Sequence, residues 1–435
     1  MSNTGLRPNP WWLVAATILC SAGMWLYVQR VLVMQQISDA ARTGRPRGNL
    51  SDLYPRWLGA RELLLHGRDP YSPAVTREIQ EGYYGRALDP SNPADPKDQQ
   101  AFAYPVYVVF YLAPAVHLPF AVVQRGFFWL LAALTMALVP ICLRILRWHL
   151  SYPEQICMVA LLFGSLAVVQ GLKLQQITLL VAALVMGAIA LLIANRPIAA
   201  GILLGLATIK PQVVCVLLLW LAIWTLGDWK SRYRWVASFL ATVAILAAAS
   251  EILLPHWISR FWQAMRDYLA YTEGIPLLHK LLPTPWSWLT EIAAGAAVAL
   301  VCWKNRHRAA DDPTFSATIC FVLATTLLLV PSYALYNQVL LLPAILLLIR
   351  ERRTLWRRSP AIRVLLAGTG FLLAWQWLAA VILAGLSFVL RPETVESLWA
   401  IPAWATPALP LAVSALMLPL ANSRTITHSA VTFPS

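Results

Sequence analysis

The chain has 435 residues, of which 59% are apolar and 12% charged, with a formal net charge of +14. A soluble domain carries about 25% charged and about 45–50% apolar residues, so this composition excludes one. The positive charge does not argue for a nucleic-acid binder either. Arg144 and Arg147, Arg196, Lys230 with Arg232 and Arg234, Lys304 with Arg306 and Arg308, and the arginines of 350–358 sit at the ends of apolar runs, which is the positive-inside pattern.

Runs of about 18 or more apolar residues recur, without the alternation of barrel strands. The sequence therefore predicts an all-α polytopic membrane protein, one membrane domain over 1–435. The six cysteines, Cys20, Cys142, Cys157, Cys215, Cys302 and Cys320, lie in or beside apolar runs and show neither metal spacing nor a disulfide framework. His117, His256 and His279 are scattered, so no metal site is expected.

Arg7 precedes a first apolar run, 11–33, which is too long for a signal peptide and reads as an uncleaved span. With the basic clusters placed inside, further spans fall at 123–146, 153–170, 176–194, 198–210, 212–227, 235–254 and 286–303. The run 315–349 is too long for one span and divides at Pro331-Ser332-Tyr333; 362–384 and 399–420 complete the set. The expectation is about twelve spans with both ends cytoplasmic. Core helices occupy 123–350, and C-terminal helices with a cytoplasmic tail occupy 351–435. The apolar stretch 104–120 is about 17 residues long, a length typical of re-entrant or interfacial segments, and it contains Pro105, Pro114 and Pro119. Read so, it makes 34–122 one external loop with amphipathic and re-entrant helices, and this loop holds nine of the twenty acidic residues.

Within that loop, 50–66 alternates leucines and Trp57 with Arg56, Arg61, Glu62 and His66, the pattern of an amphipathic interfacial helix. Asp52 stands at its start, where a carboxylate serves either as an N-cap or, beside an apolar surface, as a general base of raised pKa. Gly67 ends the helix, and Asp69-Pro70-Tyr71 reads as a turn that shapes the loop. Lys210-Pro211 marks the tip of an apolar hairpin; a lysine there is costly and suits a phosphate, unless it snorkels to headgroups. Lys173, beside Gln175 and Gln176, is a second cation of the same face, and it fits lipid headgroups equally well. Arg260 and Arg266, with Trp257 and Trp262, form an amphipathic outer segment that fits lipid phosphate or sugar faces, or interface anchoring. Tyr333, Tyr336, Asn337 and Gln338 follow the break at Pro331; the tyrosines fit an aromatic belt, and the amides lie where a substrate hydroxyl is bound. No Walker loop, dinucleotide glycine motif or serine elbow is present, so nucleotide-driven chemistry has no support.

Taken in order, these motifs resemble glycosyltransferase family 87, polyprenyl-phosphate-sugar-dependent membrane enzymes of the GT-C type that include mannosyltransferases. The resemblance runs from about residue 50 to 350. It rests on Asp52-Leu53-Tyr54, Gly67-Arg68-Asp69-Pro70-Tyr71-Ser72-Pro73, Tyr104-Pro105, the hairpin from Ala200 to Pro211, and Pro331-Ser332-Tyr333 with Tyr336-Asn337. It implies a GT-C fold whose large first external loop carries juxtamembrane helices. It also implies a catalytic aspartate at Asp52 and a donor loaded from the outer leaflet of a bacterial inner membrane. Site-shaping roles would fall on Asp69, Tyr71, Tyr104, Gln175, Gln176, Tyr336 and Asn337. The chain departs from the family's usual motifs at Gln175-Gln176-Ile177-Thr178, at Pro105-Val106 and at Asn337.

The reaction expected is inverting transfer of a hexose or pentose from a polyprenyl-phosphate donor to a lipid or glycan acceptor. Asp52 acts as base, and Lys210, Lys173, Arg260 and Arg266 attend the donor phosphate. The leaving group is already good, so no metal or other cofactor is expected. The rival reading is a transporter or flippase of a lipid-linked sugar. It fits less well, because the ionisable residues map to one face and not to mid-membrane.

Overall fold

The computed structural model describes residues 10–42, 51–89, 91–272, 274–331 and 334–423, and among them every regular element is helical. In hydrocarbon each backbone N–H must be satisfied within its own segment, and long apolar helices do this. Among the described residues six helical runs are long and apolar enough to cross a membrane: Trp11–Arg42, Phe120–Ile145, Trp229–Leu253, Trp286–Asn305, Pro360–Leu386 and Pro392–Ala421, the last ending in the helix Ala408–Ala421. A seventh arises if Tyr152–Phe163 and Leu166–Lys173, bent by 59°, are one broken span.

Length alone therefore gives six or seven crossings, against the twelve expected. Four further apolar helices, Ile177–Ile193, Pro197–Ala207, Pro211–Leu226 and Pro313–Leu329, are shorter. Three of them begin at a proline, which suits a first helical turn and cuts a continuous apolar run into pieces. The 11-residue helix Pro197–Ala207 covers only about 17 Å of a hydrocarbon core about 30 Å thick. It packs against Trp229–Leu253 and Ile177–Ile193. Gly201 and Gly205, four apart, make the first contact close: a Cβ at Gly201 would lie 2.1 Å from Ser238 Oγ, and one at Gly205 2.7 Å from Thr242. The turn at the end of this short helix is thereby held in place.

Pro313–Leu329 is buried on every side from Thr314 to Leu328, as a central helix must be. It packs on Ala408–Ala421, Trp286–Asn305 and Pro211–Leu226. The helix breaks near Pro331 as expected, although Ser332 and Tyr333 lie outside the described residues. The chain resumes as the 3₁₀ segment Leu335–Leu341 and the helix Leu342–Trp356.

The stretch 104–120 forms no spanning helix. It contains the five-residue helix Val108–Leu112 and the 3₁₀ turn Ala113–Ala115. The helix Leu53–His66 differs from the sequence expectation. It buries Leu53, Trp57, Ala60 and Leu63, and also Arg56 and Glu62, because Pro73–Tyr84 and Val108–Leu112 pack over it. It is a core element of the loop and not a helix lying on the interface. Gly67 ends it with φ 64°, its N–H donating to the carbonyls of Glu62 and Leu63.

Candidate active site

Four stretches far apart in sequence converge where this loop meets the bundle. Asp52 N donates to Leu174 O at 3.0 Å, and Ser51 Oγ donates to Gln175 Oε1 at 2.6 Å. Both bonds pin the start of Leu53–His66 to the turn between Leu166–Lys173 and Ile177–Ile193. Gln175 is the strained element of that turn, a non-glycine residue at φ 48°. Its side chain donates to the carbonyls of Leu172 and Lys173 at 2.7 and 3.0 Å and so holds it there.

Asp52 occupies the N-cap position of its helix, yet its side chain makes no capping bond. One carboxylate oxygen accepts from Gln176 Nε2 and the other from Tyr83 OH at 3.2 Å. Burial raises the carboxyl above the ordinary range; Arg56 opposes this and the Asp98 charge adds to it. Asp98 is itself raised by burial.

Arg56, one turn further along, is 6% exposed. It donates to Asp52 O and to Tyr104 OH, and its guanidinium stacks 4.0 Å from the centroid of the Tyr104 ring. Its Nε is buried with no hydrogen-bond partner among the described residues, and so is Gln176 Oε1. Arg56 was not singled out in the sequence, where it belonged to the polar face of an amphipathic pattern. Its spacing of four from Asp52 is the signal that was available.

Lys210 lies in the turn between Pro197–Ala207 and Pro211–Leu226, outside both helices, and is 4% exposed. It donates to Thr178 Oγ1 and, at 3.1 Å, to Asn337 Oδ1, and Thr178 Oγ1 in turn donates to Asn337 at 3.0 Å. The ammonium lies 4.7 Å from the centroid of the Tyr336 ring. No carboxylate forms an ion pair with it among the described residues. Burial, and then the positive charge of Arg56, lower its pKa to about 7, against the pull of Asp52. Tyr107 OH steadies the turn, donating to Thr208 O at 2.9 Å.

The structure thus gathers Asp52, Gln176, Tyr104, Lys210, Tyr336 and Asn337, together with Arg56, Tyr83 and Thr178. A carboxylate of raised pKa faces two buried cations that form no ion pair with an acid among the described residues. Such a set can take a proton from a hydroxyl and neutralise an anionic leaving group. No cluster of three or more His, Cys, Asp or Glu suited to a metal occurs among the described residues.

The model of glycosyltransferase family 87 matches residues 102–331, more than half of the chain. The chain belongs to glycosyltransferase family 87. It is therefore a membrane glycosyltransferase. Searches of curated proteins and of solved structures found no match. The matched stretch contains Tyr104, Lys173, Gln175, Gln176, Lys210, Arg260 and Arg266. Asp52, Asp69, Tyr71, Tyr336 and Asn337 lie outside it, so their place in the transferase rests on the contacts themselves.

The other residues singled out in the sequence are engaged elsewhere in this family 87 enzyme. Lys173 Nζ donates to Gln36 Oε1 at 2.6 Å. Arg260 is ion-paired with Asp69, whose other oxygen accepts from Tyr71 N at 2.9 Å and shapes the turn. Tyr71 OH donates to Tyr104 O at 2.5 Å, fixing the backbone beneath the ring that stacks on Arg56. Arg266 donates to Gln263 Oε1 at 3.0 Å on the exposed side of Trp257–Tyr271. Gln338 donates to Thr406 O at 2.6 Å, away from the Lys210 network.

Proposed function

We propose that this glycosyltransferase moves a sugar from a polyprenyl-phosphate donor to a lipid or glycan acceptor with inversion at the anomeric carbon, Asp52 serving as general base. The observation that carries the reading is the carboxylate of raised pKa set beside Arg56 and Lys210, two buried cations that no acid pairs among the described residues. The acceptor oxygen bonds the anomeric carbon as the bond from that carbon to the phosphate oxygen breaks. The acceptor proton passes to Asp52, and the lipid phosphate departs with the electron pair of the broken bond. Lys210 and Arg56 then face the phosphate, Thr178 and Asn337 orient the ammonium, and Gln176 and Tyr83 hold the carboxylate. These cations supply the electrostatic stabilisation, so the reading calls for no metal. Arg260 acts through Asp69 as a brace for the loop, and Lys173 and Arg266 are assigned no contact with the phosphate.

The same reading keeps the site on the extracytoplasmic side of a bacterial inner membrane. It also keeps a GT-C-type arrangement of about twelve crossings, in which the short helices cross with their neighbours. The charge pattern along the chain supports that orientation. The test is a transfer assay with polyprenyl-phosphate mannose, glucose and arabinose, the product anomer being read by NMR. Transfer with inversion from one of these donors is expected. Retention, or intact donor carried across vesicles without cleavage, overturns the reading, and the second result identifies a flippase.

A further inference from the structure

A cavity lies between Leu342–Trp356 and Pro360–Leu386, and no residue of the Asp52 cluster lines it. Its volume is about 510 Å³, and its walls combine Leu348 and Leu373 with Arg352, Arg353, Trp356 and Arg357. On Leu342–Trp356 the two kinds of lining follow one another: Ile345, Leu348 and Ile349 come first, then Arg352, Arg353 and Trp356, with Arg357 just past the end.

The charges in this region are unequal in their commitments. Arg350 is paired with Glu351 at 3.0 Å, Arg358 donates to Pro419 O at 3.2 Å, and Arg352 donates to Ile349 O at 2.7 Å. Arg353 and Arg357 are exposed and have no acidic partner among the described residues. Trp356, 51% exposed, stands between them, as an aromatic does at a headgroup level. The opposite wall is open: a Cβ at Gly370, which lines the cavity, would meet nothing within 4 Å.

We propose that this cavity is a binding site for an anionic glycerophospholipid of the leaflet that faces the basic ends of the helices. The phosphate and its headgroup sit against Arg353 and Arg357, and an acyl chain follows the wall of Leu348 and Leu373 past Gly370. Charge complementarity selects the occupant. A zwitterionic lipid brings a cation of its own to two arginines that lack an acid, whereas a net-negative lipid brings none. An apolar wall continuous with the basic rim selects a lipid over a free anion.

The test uses the purified full-length protein in a neutral detergent, titrated with phosphatidylglycerol, with phosphatidylcholine of the same chains, or with inorganic phosphate. Binding is followed by thermal shift and by lipids retained in native mass spectrometry. Phosphatidylglycerol is expected to bind about tenfold or more tightly than phosphatidylcholine, and inorganic phosphate to give no comparable shift. The double variant R353Q/R357Q should lose that preference. Gly370→Leu should weaken phosphatidylglycerol binding with every charge retained, by filling the channel. Lys230→Gln with Arg234→Gln, a matched charge loss at another basic end, should leave binding unchanged. Equal binding of the two lipids, equal protection by inorganic phosphate, or an equal loss in the Lys230/Arg234 control overturns the proposal.

Discussion

The loop before the first core helix takes part in two kinds of charged cluster. In one, Arg68 donates to Glu62 at 2.7 Å and to Glu78 at 2.6 Å, Arg86 pairs with Asp95, and Asp69 pairs with Arg260. Each arginine there has an acid. In the other, Arg56 and Lys210 are buried, and the carboxylate of Asp52 is bonded to an amide and a phenol instead of to either cation. Paired charges at a solvent-reached site are screened and contribute little to stability, and their role is to hold the loop's shape. Buried charges left without a counter-ion cost stability, and they persist where a ligand or a reaction completes them.

That contrast ranks the variants. Asp52→Asn removes the base and should lower kcat by about 10²–10⁴-fold with the fold intact, as circular dichroism and thermal shift would show. Lys210→Met should lower kcat/KM for the donor by about 10²–10³-fold while raising Tm, because it removes a buried charge that no acid pairs among the described residues. A fall in Tm, or an effect confined to acceptor KM, would break the assignment. Arg56→Lys keeps the charge but loses the planar stack on Tyr104, and about a tenfold loss in kcat is expected. Asp69→Asn should change the rate by less than about threefold, with a small loss of Tm from the half-buried ion pair. If Asp69→Asn were as damaging as Asp52→Asn, the division between bracing and reacting charges would be wrong.

Several of these assignments were legible in the sequence for physical reasons. A lysine before a proline inside an apolar hairpin is costly enough to stand out, and Lys210 is indeed central to a buried network. The turn at Gly67-Arg68-Asp69-Pro70-Tyr71 follows from glycine's left-handed freedom and from the Asx geometry of Asp69, and both are present. Arg56 was not legible, because helical periodicity says which residues share a face and not what covers that face. Here Pro73–Tyr84 and Val108–Leu112 close over the helix, turning a presumed lipid-facing surface into a core. Thr178 stands in a stretch that departs from the family's usual motif, yet its hydroxyl joins Lys210 to Asn337, the Thr178–Asn337 contact being made across 159 residues. The spans were only partly legible. Apolar composition marks the runs, but prolines at positions such as 197 and 211 divide them into helices whose lengths composition does not reveal.

The pH dependence of kcat/KM, measured for the wild type and for Asp52→Asn with a polyprenyl-phosphate donor, tests the central claim most directly. Asp52 must be ionised to accept a proton, and its pKa is raised, so the rate should climb as pH rises through a value above the ordinary carboxylate range. Lys210 must be protonated to meet the phosphate, and with a pKa of about 7 in the free enzyme its charge is lost as pH rises further. The account predicts a bell whose alkaline limb falls near pH 7 and, in Asp52→Asn, a residual rate without the acid limb. A wild-type profile flat across this range, or an Asp52→Asn enzyme with full activity and an unchanged bell, would contradict it.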